Sequence, residues 1–399
     1  MNILALNLGS SSLKFKLFQI LPTAETVLIE KVDAALTETV LTETVLTEGT
    51  VERLAADALL PAAQKAIAQC RPFGIDAVGH RVVHGGPHFT QPTPITPEVI
   101  GGLHDLEELD PLHNPTEIEL IEAASHLLPE IPAVAVFDTA FHRTLPEVAW
   151  RYALPRELSD RLHLRRYGFH GLSHQIVSTK LLESLGRRAE GSRLIVCHLG
   201  SGASICAVRD GKSVDTSMGM TPLEGLVMGT RSGDVDPGLL LYLLRVGEIT
   251  PETLDTLLNQ QSGLLGLSGL SGDVRELDSA AQSGDAAAEL ALESFAYRVC
   301  KYIGAYAAAL EGLEAVAFTG GIGENSATMR RRICRRLGFL GVYLDPARND
   351  EAGSAPRQIS GDGGGAAVWV IPTDEECQIA RETMQVLTRT SVNRGKRGA

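Results

Sequence analysis

The chain has 399 residues, 44% of them hydrophobic and 21% charged, and a formal net charge of −13. That length exceeds what one compact core usually supports, so two domains are expected, with the composition of an ordinary soluble globular protein. The acid excess, without a long basic run before the extreme C-terminus, excludes nucleic-acid binding through a phosphate-neutralising face; any anion must be held by glycine loops, helix N-termini and a few placed arginines.

The N-terminal segment MNILALNLGSSSLKF lacks a basic leader and a small-residue cleavage site, so it reads as a first strand and not as a signal peptide. Residues 3–8 and 13–18 are apolar-rich runs separated by Gly9-Ser10-Ser11-Ser12. In the second run Leu13, Phe15 and Leu17 alternate with Lys14 and Lys16, which predicts a β-hairpin with a small-residue turn. Residues 36–48, LTETVLTETVLTE, repeat with period five, neither a strand period nor a heptad, and read as a lengthened surface hairpin or loop. Helices are predicted over 61–69, 117–128, 286–310 and 326–337, and short buried strands over 133–137 and 315–319. Residues 193–199 form a further strand, 200–203 a tight turn and 204–209 a return strand, with Asp210-Gly211 as a two-residue hairpin into 212–216. Asn7-Leu8-Gly9-Ser10 and His198-Leu199-Gly200-Ser201 match at an offset of 191 residues (7 to 198), close to half the chain, which suggests a duplicated domain. The class is α/β, with a hairpin opening each half.

Six cysteines, Cys70, Cys197, Cys206, Cys300, Cys334 and Cys377, are scattered without a C-x-x-C pair. This fits reduced thiols in the cytoplasm and neither a disulfide framework nor a zinc site. No stretch approaches a membrane span, so no membrane partner is expected.

A turn of small residues lets backbone N–H groups approach an anion, with the hydroxyls of Ser10 and Ser12 as added donors. Lys14 on the return strand could reach a terminal phosphate, although the same turn also serves as an ordinary hairpin. Two matched turns half a chain apart favour a nucleotide cleft between the halves. Phe318-Thr319-Gly320-Gly321-Ile322-Gly323-Glu324-Asn325 follows a buried strand and precedes a helix, a layout that offers free N–H groups to an anion. It is not G-x-G-x-x-G, and no Walker A pattern occurs, which disfavours Rossmann and P-loop readings. Arg81 and Val83, two apart on an extended segment, face the same side, so one can fork onto a carboxylate while the other meets a short alkyl chain. Arg231 lies in the glycine-flanked loop 228–234, either as a phosphate ligand or as a staple to Asp234 or Asp236; the pattern leaves both open. His80, His84 and His88 are four apart, but Gly85, Gly86 and Pro87 forbid the helix a zinc site would need. His170 and His174 are also four apart, and spacing alone leaves them structural. Asp138 follows a buried strand, at the end where α/β proteins bind ligands. Thr373 and Glu376 are spaced as a capping box, with Glu375 a first-turn acid that complements the helix dipole.

Taken together, NLGSSSLKF, GHRVVHGG, PLHNP, FDTAFH, YGFHGLSH, HLGSGAS, DTSMGMTPLEGLVMGTRSGDVDPG, FTGGIGEN and IPTDEE resemble the acetate kinase family of the actin/sugar kinase/Hsp70 superfamily, in order and over nearly the whole chain. The long DTSMGMTPLEG segment is the most specific. The resemblance implies two duplicated actin-like (ribonuclease H-like) domains with mixed sheets flanked by helices, facing across a nucleotide cleft: 1–140, completed by a C-terminal helix 374–399, and 141–373. It implies ATP and ADP as substrates, Mg²⁺ or Mn²⁺ near Asn7 and Glu375, and Lys14 near the phosphates. Arg81 and Arg231 would hold the acceptor carboxylate and the transferring phosphoryl group, and His170 would stabilise the transition state. His198, Leu199, Gly200, Ser201 and Gly202, with Asp273, Val274, Arg275, Gly321, Ile322, Gly323, Glu324 and Asn325, would line the nucleotide site. Val83, Leu112, Phe169 and Pro222 would form an apolar pocket for the substrate methyl group, and the protein would be a homodimer. Ser201 departs from the family's usual asparagine, Leu172 from a frequent threonine and Asp374 from a frequent asparagine.

A carboxylate acceptor is already ionised at neutral pH, so its attack on phosphorus needs charge neutralisation and in-line positioning more than a strong base. Asp138 is therefore expected to orient an arginine and the metal's waters. Val83 favours acetate over propionate or butyrate, a discrimination of about 1–3 kcal/mol per methylene. A non-catalytic superfamily member would be expected to lose Arg81, Arg231 or His170. A sugar kinase would need an acidic base and a polar pocket.

Overall fold

A computed structural model gives the fold and describes residues 1–9, 12–31, 34–52, 58–107, 109, 113–247, 249–361, 363 and 365–397, with backbone alone for 22–41 and 390–397. The chain packs as two compact units, Met1–Ala140 with Asp374–Ala399, and Phe141–Thr373.

In the first unit β1 (Asn2–Leu8), β2 (Ser12–Lys31) and β3 (Ala34–Glu52) form an antiparallel meander. β4 (Ala77–Val82), β5 (Thr93–Pro94) and β6 (Ala133–Phe137) complete a six-stranded sheet of order β3-β2-β1-β4-β6-β5. The period-two pattern sets the register: Leu8 stands opposite Leu13, Leu6 opposite Phe15 and Leu4 opposite Leu17. These residues bury one face against Leu59, Ala63 and Ile67 of the helix Leu59–Cys70. The period-five repeat lies in β3, paired along β2, with an irregularity where Leu17 meets Thr47 and Phe18 meets Val45. An odd repeat on a strand turns successive copies to opposite faces, and the skipped Leu46 resets the pairing.

The opposite face of β1, β2 and β4 is covered by the helix Glu375–Arg397. The approach is close at Gly79, where a Cβ would lie 2.4 Å from Thr383 Oγ1 and 2.6 Å from Ile379 Cγ2. Helix entry differs from the expected capping box. Asp374 accepts from Cys377 N–H (3.2 Å), while Glu376 is drawn to Asn7 (2.8 Å) and Lys16 (3.8 Å).

In the second unit β7 (Arg193–Leu199), β8 (Ala203–Arg209) and β9 (Lys212–Thr216) again form an antiparallel meander. β10 (Ala315–Thr319), β11 (Arg357–Gln358) and β12 (Ala367–Val370) complete the order β11-β12-β10-β7-β8-β9. Matching β7 with β1, β8 with β2, β9 with β3, β10 with β4, β12 with β6 and β11 with β5 superposes the strand order. It also superposes each parallel or antiparallel relation. The expected fold class, two duplicated actin-like domains, is thus visible in the topology. Asp210 and Gly211 have φ of 54° and 70°, as the two-residue β8–β9 hairpin requires. The helix expected over 326–337 is shorter, Ala327–Cys334, with Ser326 as its N-cap and a 3-10 turn at Gly338–Leu340 behind it. Among the described residues no helix is long and apolar enough to cross a membrane.

Gly79→Val forces a branched side chain into the strand–helix contact. It is expected to destabilise the first unit by roughly 1–3 kcal/mol, read as a lower urea midpoint for that unit.

Candidate active site

In the first unit the ends of β1, β4 and β6 bring Asn7, Arg81 and Asp138 onto one sheet. Arg81 donates from Nη2 to Asp138 Oδ2 (2.7 Å), from Nε to the same oxygen (3.1 Å) and from Nη1 to the Leu8 carbonyl (2.8 Å). Glu117 Oε1 lies 3.8 Å from Arg81 Nη1, and Glu117 Oε2 accepts from Val83 N–H at 2.8 Å. Burial opposes the charge on Arg81. The carboxylates of Asp138, Glu375 and Glu117 outweigh it and hold the guanidinium pKa above its ordinary value. Arg81 is thus a permanent cation at the edge of a buried acidic cluster. Asn7 donates to Glu375 Oε2 (3.0 Å) and Glu376 Oε1 (2.8 Å). Lys14 stands opposite Asn7 in the β1–β2 register and is exposed, whereas Lys16 pairs with Asp374 at 3.0 Å. Val83 is buried, and Ser12 closes the turn by accepting Gly9 N–H (2.8 Å). Ser10 and Leu112 lie outside the described residues.

In the second unit the turn 200–202 is closed by Gly200 N–H donating to the Gly202 carbonyl (3.1 Å). His170 precedes the helix Gly171–Ser184 in a left-handed conformation (φ 57°, ψ 26°), a conformation a non-glycine residue adopts mainly where its surroundings enforce it. Its ring stacks on His198 at 4.2 Å and 25°. Arg231 sits in a loop clamped by backbone bonds, Met228 N–H to the Arg231 carbonyl (3.1 Å) and Leu264 N–H to the Met228 carbonyl (2.8 Å). Both aspartates offered as its staple are engaged elsewhere. Asp234 accepts from Gly225 N–H and Tyr302 Oη, each 2.8 Å, and Asp236 caps the helix Pro237–Val246. Arg231 Nη1 points to the Pro222 carbonyl (3.4 Å). A Cβ on Gly202 would lie 3.7 Å from both Arg231 Nη1 and His170 Nε2, so glycine there keeps open the space on which the two converge. Phe169 is buried and its carbonyl accepts from His142 Nε2 (3.0 Å), while Pro222 is half-buried.

A cavity of about 800 Å³ in this unit is lined by Gly200, Ser201, Asp273, Val274, Arg275, Gly321, Ile322 and Asn325, all named from the sequence. Gly229, Thr230, Gly272, Asp278, Ser326, Ala327 and Thr328 also line it and were missed. Their one local signal is the serine cap that opens a helix after the glycine turn. His198, Leu199, Gly202, Gly323 and Glu324 are not in its wall. The Glu324 carboxylate Oε1 instead accepts from Gly320 N–H (3.0 Å), Thr373 N–H (3.2 Å) and Thr319 Oγ1 (3.2 Å), closing its own loop. Asp273 caps the helix Val274–Gln282 and binds Arg275, which holds its carboxyl below the usual range. Glu117 was also missed, because no spacing rule ties it to Arg81 or Val83.

The chain belongs to the acetokinase family, whose model matches residues 2–381. An acetate kinase of Geobacillus sp. (strain WCH70) is 49% identical over 394 residues, 96% of this chain and 98% of that protein. The crystal structure of Porphyromonas gingivalis acetate kinase matches with a TM-score of 0.81 and 40% identity, covering 97% of this chain and 99% of that one. A propionate kinase from Francisella tularensis subsp. tularensis SCHU S4 matches with a TM-score of 0.82 and 38% identity, covering 96% and 99%.

Burial pushes His142 down to about 4 and His80 to about 3 from the usual 6.5; His174, buried beside His142 and His198, is also depressed. Above pH 6.5 these rings are neutral in both folded and unfolded chains. Below it only the unfolded chain takes up the protons, so stability falls until the folded pKa is reached. The urea midpoint is expected to drop between pH 7 and pH 5, with a slope approaching about 1.4 kcal/mol per pH unit for each histidine. His80→Leu should flatten the slope of the first unit, and a pH-independent midpoint in the parent protein would contradict buried neutral rings.

Proposed function

We propose that this member of the acetokinase family transfers the γ-phosphoryl group of Mg-ATP directly and reversibly to the carboxylate of acetate, giving acetyl phosphate and ADP. The observation that carries the reading is Arg81, held cationic by Asp138 at 2.7 Å with the buried Val83 two residues on. A fixed guanidinium beside an aliphatic side chain suits a small fatty-acid anion. The acceptor needs no deprotonation, so Asp138 serves as the orienter of Arg81 and not as a general base. Arg231 and His170 would neutralise the charge that spreads over the equatorial oxygens during in-line transfer. The glycine-lined cavity of the second unit would take the nucleotide, and Lys14 would approach its phosphates.

Asn7 and Glu375 would hold Mg²⁺. Asn7 turns its N–H groups toward Glu375 and Glu376, leaving its carbonyl oxygen for a hard cation. Among the described residues no three His, Cys, Asp or Glu side chains form a cage. One or two protein oxygens suffice for an ion that keeps waters and binds nucleotide phosphates, where it would neutralise their charge. The likeness to a solved propionate kinase supplies the second reading, a longer acid in the same site.

The reading includes a homodimer in the cytoplasm. The helix Pro237–Val246 buries none of its residues, and Leu239, Leu241 and Tyr242 are 46%, 64% and 54% exposed. Such an apolar surface fits a second copy of this chain.

The test is Mg-ATP-dependent acyl phosphate formation, trapped with hydroxylamine, with acetate, propionate and butyrate in parallel. A higher kcat/KM for acetate is expected, with Val83→Ala shifting the ratio toward propionate by roughly tenfold. Preference of the parent enzyme for a longer acid would select the second reading. Asp138→Asn is expected to lower kcat by about 10²-fold through loss of Arg81's orientation, and near-normal turnover would remove any essential role for it. In light scattering after gel filtration, a dimer is expected for the parent chain and a monomer for Leu241→Glu; a monomeric parent would refute the homodimer.

A further inference from the structure

Two buried groups behind His170 have no part in the reaction as proposed above. The His170 Nδ1 atom lies 2.9 Å from Ser204 Oγ, and the same oxygen lies 2.7 Å from His174 Nε2. Ser204 and His174 are both 0% exposed. The other ring nitrogen of His174, Nδ1, is buried without a hydrogen-bond partner.

That orphan decides the direction of the chain. A neutral imidazole carries one proton, and a buried N–H without an acceptor is among the rarest states in folded proteins. With the proton on Nδ1, His174 would bury such a donor. With the proton on Nε2, His174 donates to Ser204 Oγ and leaves only a lone pair unmatched. Ser204 has one hydroxyl proton, and with His174 donating to its oxygen that proton is free to go to His170 Nδ1. His170 Nδ1 is then the acceptor, and the ring's own proton sits on Nε2, the ring nitrogen that would lie 3.7 Å from a Cβ on Gly202, as Arg231 Nη1 would.

We infer that Ser204 and His174 are positioning residues, a two-step hydroxyl–imidazole relay that fixes His170 as the Nε2–H tautomer and so presents a hydrogen-bond donor beside Arg231 at the turn 200–202. The inference rests on the proposed role of His170 toward the transferring phosphoryl group, where a donor stabilises oxygen charge and a lone pair would oppose it. Orientation of an imidazole by the partner of its far nitrogen is a general device for setting which nitrogen meets the substrate.

The experiment has two arms on the full-length protein. In the first, ¹⁵N-histidine labelling with long-range proton–nitrogen correlation, assigned with His170→Asn, reads the tautomer. His170 is expected to be protonated at Nε2 and bare at Nδ1 in the parent chain, and to become a tautomer mixture in Ser204→Ala. A parent His170 protonated at Nδ1, or a Ser204→Ala spectrum unchanged, overturns the relay. In the second arm, Ser204→Ala and His174→Leu are expected to lower kcat by roughly 10–100-fold with KM for ATP and acetate nearly unchanged. His174→Gln, whose amide can still donate to Ser204, should recover most of that loss. No recovery by His174→Gln while it folds as the parent does would reduce His174 to packing and overturn its positioning role. Full turnover in His170→Asn would refute the role of His170 itself and the catalytic half of the inference with it, whereas an inactive His170→Asn with the wrong parent tautomer would refute the relay alone.

Discussion

A guanidinium kept charged away from bulk water is the constraint around which the first unit is organised. Arg81 comes from β4, Asp138 from the end of β6, Glu117 from a helix on one side and Glu375 from a helix entering at the end of the chain. Each carboxylate lowers the penalty of burying the cation, and the cation lowers the penalty of burying them. Removing Arg81 would leave the three carboxylates without the cation they share. A small anion bound at Arg81 would meet a guanidinium already oriented by its bonds to Asp138 and the Leu8 carbonyl, so little reorganisation of that side chain would accompany binding.

The duplication shows what was kept and what was rebuilt. Asn7 and His198 hold equivalent places at the ends of equivalent strands, before turns of nearly the same length. Leu8 pairs with Leu13 across four residues, and Leu199 with Ala203 across three. Yet Asn7 is held by two carboxylates of a helix, and His198 Nδ1 by the hydroxyl of Ser173 at 2.7 Å. Each turn is closed by a backbone bond from its first glycine, Gly9 N–H to the Ser12 carbonyl (2.8 Å) and Gly200 N–H to the Gly202 carbonyl (3.1 Å). The side chains around the two turns differ: carboxylates beside Asn7 and a serine hydroxyl beside His198.

Much of this was legible in the residues. Alternation in 13–18, glycine turns at fixed places and buried runs at 133–137 and 315–319 gave strands that match the observed ones closely, because these signals are local. The extended segment expected to carry both Arg81 and Val83 ends one residue early: the strand stops at Val82, and Val83 lies in the bend that follows. What escaped was whatever depends on contacts between distant segments. Glu117 reaches Val83 across 34 residues, Ser204 joins His170 and His174 across 34 and 30, and Glu376 leaves its expected cap because Asn7, 369 residues away, competes for it. No composition or period encodes such a meeting. Arg231 was ambiguous for the same reason, since only the fold shows Asp234 and Asp236 engaged by other groups.

The helix Glu375–Arg397 packs on β1, β2, β4 and β6, although those strands are made more than two hundred residues earlier. On the ribosome, therefore, the contiguous unit 141–373 can complete its core while the earlier one still waits for its covering helix. Gly79 and its neighbours would remain uncovered through that interval, and Arg81 would lack one of its carboxylates. The order of maturation is thus opposite to the order of synthesis, and the unit proposed to take the carboxylate substrate becomes competent only after residues 374–397 have emerged.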